Sequence, residues 1–139
     1  MVDVPRLGAL LQRIRDEVAA LRHLARREGI RDDDVALPAA KYRLVVAIEA
    51  MIDVAEHVIA SEGLRPATSF ADSFRSLAEG GWIDTELAGL LADAARFRNV
   101  LVHQYTDVDD DRVVEILRTR LDDLDRFVTT MAGRLEAGG

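Results

Sequence analysis

Apolar side chains recur along this chain in steps of three and four, a spacing that only helices use to build one apolar face. Leu7, Leu11, Ile14, Val18, Leu21 and Ala25 follow it over about five turns. Asp3 is placed to cap that helix, Pro5 lies just inside its start, and Gly29 marks its end. Ile30 to Leu37, with Asp32, Asp33 and Asp34, reads as a charged connector, after which Pro38 can open a second helix. Val45, Ile48, Ile52, Ala55 and Ile59 form the second stripe, closed near Gly63 and Pro66. Thr68 or Ser69 can cap a short third helix through Phe70, Phe74 and Leu77, which stops at Gly80 and Gly81. Asp84 starts a fourth with the stripe Leu87, Leu90, Ala94, Phe97 and Leu101. After an aspartate-rich turn from Thr106 to Asp111, a fifth carries Val114, Leu117, Leu121, Leu124, Val128 and Met131. No stretch alternates like a strand, so the expected fold is all-α, an up-and-down bundle of about five helices joined by mostly short connectors. At 139 residues the chain is the size of one ordinary domain, expected to span 1–139.

Hydrophobic residues make up 49% of the chain, which excludes a disordered tail, and aromatics only 5%, which leaves the packing to Leu, Val, Ile and Ala. There is no cysteine, so disulfides, thiolate metal sites and a cysteine nucleophile are all excluded. The longest uninterrupted run of apolar side chains, Leu44 to Ile48, is far short of the roughly 20 residues of a membrane span. The opening residues lack the basic and apolar regions of a signal peptide, and a cytoplasmic location is expected. Net charge is −7, from 25 acidic against 18 basic side chains, and such a molecule repels a nucleic-acid backbone globally. A non-specific nucleic-acid coat is thereby argued against. Lys41 is the sole lysine, and the arginines that supply the remaining positive charge suit bidentate phosphate contacts at a localised site.

One such site lies at the end of the fourth helix, in Arg98-Asn99-Val100-Leu101-Val102-His103-Gln104-Tyr105. On a helical wheel Asn99 and His103 share a line with Arg96 opposite the apolar stripe, while Val100 and Val102 leave apolar surface beside it. A second copy of the chain is the economical cover, because two-fold homodimers are the commonest oligomers. An imidazole can move a proton near neutral pH, and a guanidinium can stabilise the charge that develops on a phosphorane. His103 and Arg98 can fill those roles in metal-free phosphodiester cleavage. RNA suits that chemistry better than DNA, because its 2′-hydroxyl is an internal nucleophile. Arg98 stands about 140° around the wheel from His103, so the two meet only if the arginine reaches across or a partner chain supplies one of them. The plainer reading is that an arginine and a histidine in a last turn cap carbonyls and complement the helix dipole.

The spacing R-N-x-x-V-H-x-Y formed by Arg98, Asn99, Val102, His103 and Tyr105 resembles the HepT-like branch of the HEPN superfamily. The resemblance extends to Ile48 through Asp53, to the Pro66 to Leu77 stretch before Gly80, and to Asp109 at the opening of the last helix. It implies a homodimeric, metal-independent RNA endonuclease that needs no cofactor. Such a protein acts as the toxin of a toxin–antitoxin pair beside a nucleotidyltransferase antitoxin. By the same resemblance Arg98 and His103 are catalytic, Asn99 supports them, and Tyr105 carries the hydroxyl to which the antitoxin adds AMP. The alternative is a non-enzymatic dimeric module of the same architecture that binds a nucleotide or a partner.

Other polar residues carry weaker signals. Asp53 and His57 have the spacing of two metal ligands on one helix face, but without a third ligand a surface ion pair explains them better. His23 is expected on a solvated face. Asp107 to Asp111 lack the glycine and distal glutamate of a calcium loop and read as a helix cap. Trp82 is expected to pack over a connector.

Overall fold

The computed structural model describes residues 1–104 and 106–138. Among them there is no strand: the order is α1 Val4–Ala25, a 3-10 turn at Ile30–Asp32, α2 Ala36–Glu62, α3 Phe70–Glu79, α4 Thr85–His103, α5 Asp110–Thr119 and α6 Leu121–Gly138. The capping chemistry explains most of these boundaries. Asp3 accepts from the Arg6 amide at 3.0 Å, Ser69 from Asp72 at 3.0 Å, and Asp84 from Leu87 at 2.7 Å. Gly63 takes the left-handed conformation (φ 64°) that ends α2, a backbone state a side chain resists, and the following Leu64 amide bonds back to the Ile59 carbonyl at 3.0 Å.

Two expectations need correction. The fifth apolar stripe is not one helix but two, α5 and α6, which meet at Arg120. The stripe survives the break because Leu117 ends one buried set and Leu121 begins the next. The Ile30 to Leu37 connector is also more ordered than its charge implies. Ile30 is buried in the 3-10 turn, and Asp33 caps the start of α2 by accepting from the Val35 and Ala36 amides at 3.0 and 2.8 Å. Those amides hold the Asp33 carboxyl below its ordinary pKa, with Arg27 adding to the effect. Pro38 therefore sits in the first turn of α2 rather than at its first residue, where its missing N–H still breaks no helical bond.

The helices run up and down. Asp3 donates its amide to His57 Nε2 at 3.0 Å and Arg43 reaches Glu17 at 3.1 Å, so α1 and α2 are antiparallel. Arg22, late in α1, pairs with Asp122 and Asp125 at the beginning of α6. α2 and α4 are likewise antiparallel, joined at Glu49–Arg98 and, beyond the end of α4, at Lys41–Asp110. At the centre Phe74 of α3 meets Phe127 of α6 edge to face, ring centroids 5.8 Å apart. No helix among the described residues is long and apolar enough to cross a membrane.

Candidate active site

The site lies at the end of α4, a helix that buries apolar residues on more than one side. Its buried residues are Leu87, Ala88, Leu91, Ala92, Ala95 and Leu101, whereas Leu90, Ala94 and Phe97 of the expected stripe are only half-buried. α4 packs against α2, α3 and α6 together, so small alanines fill the closest approach. The wheel's single stripe becomes the shoulder of a wider buried face. Ala94 and Phe97 line a shallow groove with Leu44, Ile48, Ile116 and Leu124.

Arg98 projects from this helix into a set of partners that fix it on three sides. Its Nε and Nη2 both donate to Glu49 Oε1 of α2, at 3.2 and 2.5 Å. Nη1 donates to Asn99 Oδ1 at 3.0 Å, and the guanidinium carbon stands 5.4 Å from the centre of the Phe70 ring. The Arg98 side chain is only 15% exposed while that of Glu49 is 44% exposed, so the pair lies at the rim of the bundle rather than inside it. A guanidinium has five N–H donors, and these three bonds leave two for an anion. Asn99 is thus half-buried and turned to Arg98, not aligned with His103 on a free polar line as the wheel suggests.

His103 is the last residue of α4 and is exposed, and the Gln104 amide closes the helix on the Val100 carbonyl at 2.8 Å. No hydrogen bond joins His103 to Arg98 or Asn99 among the described residues. Val100 and Val102 flank it with 37% and 42% of their surface in solvent. Tyr42, 67% exposed, precedes Glu49 by about two turns on the same face of α2, and the antiparallel packing places it toward the His103 end of α4. Tyr105 lies outside the described residues.

Phe70 owes its place to a brace on the α2–α3 loop. Arg65 donates to both carboxylate oxygens of Asp72, at 2.7 and 3.0 Å, and to both of Glu79, at 2.8 and 2.9 Å. Asp72 also receives the Thr68 amide at 3.0 Å and donates its own amide to Ser69, the capping arrangement that opens α3 at Phe70. The Arg65 guanidinium holds the Asp72 carboxyl far below the usual carboxylate range, helped by the Thr68 amide, and lowers Glu79 as well.

Neither Glu49 nor Phe70 stands out in the sequence as a partner of Arg98. Phe70 reads there as part of the buried stripe of α3, yet it is 40% exposed because it is the first residue of the helix, at the surface. Glu49 does leave a trace: it is the one charge between Arg43 and Asp53. A lone carboxylate in such an apolar stretch requires a partner on whatever packs over it. Several of the other polar residues have structural duties. His57 Nε2 accepts the Asp3 amide, Asp109 caps α5, and Asp110 and Asp111 pair with Lys41 at 2.6 Å and Arg31 at 2.7 Å. Trp82 is buried beneath the Arg134 guanidinium, 4.5 Å from its ring centre, and His23 is exposed. Among the described residues no three His, Asp or Glu side chains are grouped to hold a metal ion.

A family model described as ribonuclease HepT-like matches residues 11–131. The mRNA nuclease HepT of Shewanella oneidensis is 34% identical over 80 residues, which are 58% of this chain and 60% of that relative's length. Among solved structures, a tri-AMPylated HEPN toxin of the same organism in complex with MNT antitoxin superposes with a TM-score of 0.86. The superposition covers 96% of this chain and 99% of that one at 24% identity. YutE, a cytosolic protein of unknown function from Bacillus subtilis, gives a TM-score of 0.87 at 18% identity over 99% of this chain and 93% of its own. At those identities the two structures share the fold, while the family model spans the great majority of the sequence and includes the Arg98 to Tyr105 segment. This chain belongs to the HepT-like ribonuclease family.

Proposed function

We propose that the protein is a metal-independent RNA endonuclease that acts as a toxin, with residues 1–139 as one domain. Arg98 and His103 are its catalytic groups and Asn99 a support for Arg98. The observation that carries the reading is the state of Arg98. A guanidinium held by Glu49, Asn99 and Phe70, with donors to spare, stands one and a half turns from an imidazole left in solvent at the end of the same helix. In this reading His103 moves the proton of the 2′-hydroxyl or of the leaving oxygen, and Arg98 neutralises the phosphorane. A homodimer completes the site, bringing a second copy of the α4 end over Val100, Val102 and Tyr42. The S. oneidensis toxin is AMPylated and bound to an MNT antitoxin. By analogy a nucleotidyltransferase neutralises this chain by adding AMP to Tyr105, two residues beyond His103. The added nucleotide then excludes RNA by volume and by negative charge.

The test is RNA cleavage by the purified protein in excess EDTA. Wild type is expected to cut, and Arg98→Ala and His103→Ala are each expected to lose about 100-fold or more. Unchanged cleavage in both variants assigns the activity to another site.

A further inference from the structure

Arg98 serves a phosphate only if its remaining donors face one fixed direction, and the residues that aim it come from two other helices. We infer that Glu49 and Phe70 are positioning residues for Arg98, Glu49 gripping one edge of the guanidinium and Phe70 supporting its face. The inference rests on the ribonuclease reading above and extends it to residues outside the Arg98 to Tyr105 segment.

A long arginine side chain has many rotamers, and anchoring it at the rim of a bundle requires opposing contacts. Glu49 Oε1 straddles the Nε and Nη2 edge, at 3.2 and 2.5 Å, and so fixes the rotation of the guanidinium plane. Asn99 takes Nη1 at 3.0 Å, and the Phe70 ring lies against the face at 5.4 Å. What remains is one N–H on each terminal nitrogen, the pair that can meet two oxygens of a phosphate together. Each anchor is itself held. Glu49 stands on α2, between the buried Ile48 and Ala50, and Phe70 begins α3 next to the Arg65–Asp72–Glu79 brace. A carboxylate beside the catalytic guanidinium also lowers the local positive charge. Glu49 therefore improves geometry rather than the bulk attraction of RNA, and its loss belongs in turnover and not in binding.

The experiment measures kcat and KM for RNA cleavage, with thermal melting, in Glu49→Gln, Glu49→Leu and Phe70→Leu. Gln keeps the length and one acceptor oxygen, Leu keeps the bulk without an acceptor, and Phe70→Leu keeps an apolar contact without a π face. The expected order is wild type, then Glu49→Gln down by about tenfold in kcat, then Glu49→Leu down by about 100-fold, with KM within about twofold. Phe70→Leu is expected to lose about threefold. Melting should hardly change, since Glu49 is half-exposed. Wild-type kcat in Glu49→Leu, a loss confined to KM, or a gain in affinity or rate would each overturn the inference, the last by making Glu49 a competitor of the phosphate. Loss of the melting transition in both Glu49 variants would make it a residue of the fold and overturn the inference equally.

The ribonuclease reading fails separately, if wild type does not cut or Arg98→Ala cuts as well as wild type. In that event the Arg98 Nε–H resonance decides the matter. It is expected to be protected from solvent exchange in wild type and unprotected in Glu49→Leu, and equal exchange in the two would overturn the assignment of Glu49.

Discussion

His103 ends α4 with its ring in solvent, so its removal costs almost no packing, whereas Phe74 is fully enclosed against Phe127. His103→Ala should therefore change stability by no more than about 0.5 kcal/mol while cleavage collapses. Phe74→Ala should cost about 3–5 kcal/mol, both read by denaturant unfolding. A His103→Ala protein that unfolds as easily as Phe74→Ala would mean the imidazole holds the fold instead of acting on RNA. At Tyr105 the expectation is chemical. Co-expression with a cognate nucleotidyltransferase should add the mass of AMP to wild type and not to Tyr105→Phe, and equal addition to both would place the acceptor elsewhere. Arg98, Asn99 and His103 could be singled out together in the sequence because they stand on one expected helix, and α4 carries all three. Their surroundings were not. Glu49 lies 49 positions from Arg98 and meets it only through the packing of α2 on α4, and Asn99 turns toward Arg98 because an arginine with unfilled donors is its neighbour.

Among the elements, α3 depends most on electrostatics, because the Arg65 brace and the Ser69 cap together set where it begins. The folded Asp72 carboxyl titrates below its unfolded value. Its contribution to stability is therefore complete above the ordinary aspartate range, near pH 4, and is lost as pH falls toward the folded value. Asp72→Asn should melt at a lower temperature than wild type at pH 7, and the difference should shrink steadily below about pH 4. A difference independent of pH would show that the brace acts through shape alone. Element existence was readable from apolar spacing and caps, since Asp3, Ser69 and Asp84 cap the helices expected of them. What spacing could not show was the break at Arg120, where buried residues continue in step through Leu117, Leu121 and Leu124 across two helices. Nor could it show the second apolar side of α4, which exists only because three helices pack on it.

Across the whole molecule, the net charge of −7 and the placement of Arg98 beside a carboxylate mean that the proposed RNA substrate would be engaged locally, not drawn to the surface at large. The homodimer proposed over the α4 end would supply that locality by bringing two such sites together. Light scattering at micromolar concentration should give twice the 15.4 kDa of the chain. Charge on the apolar rim, as in Val102→Glu, should shift it toward the monomer and lower cleavage together. A Val102→Glu protein that remains dimeric and active would move the interface elsewhere. The central claim, that an imidazole and a guanidinium cut RNA through its own 2′-hydroxyl, is tested most directly by the chemical ends of the products made in excess EDTA. Attack by the 2′-hydroxyl leaves a 2′,3′-cyclic phosphate on the upstream fragment and a free 5′-hydroxyl on the downstream one, and both are expected from wild type and not from His103→Ala. A 5′-phosphate with a 3′-hydroxyl, or cleavage that stops when divalent ions are removed, would contradict it.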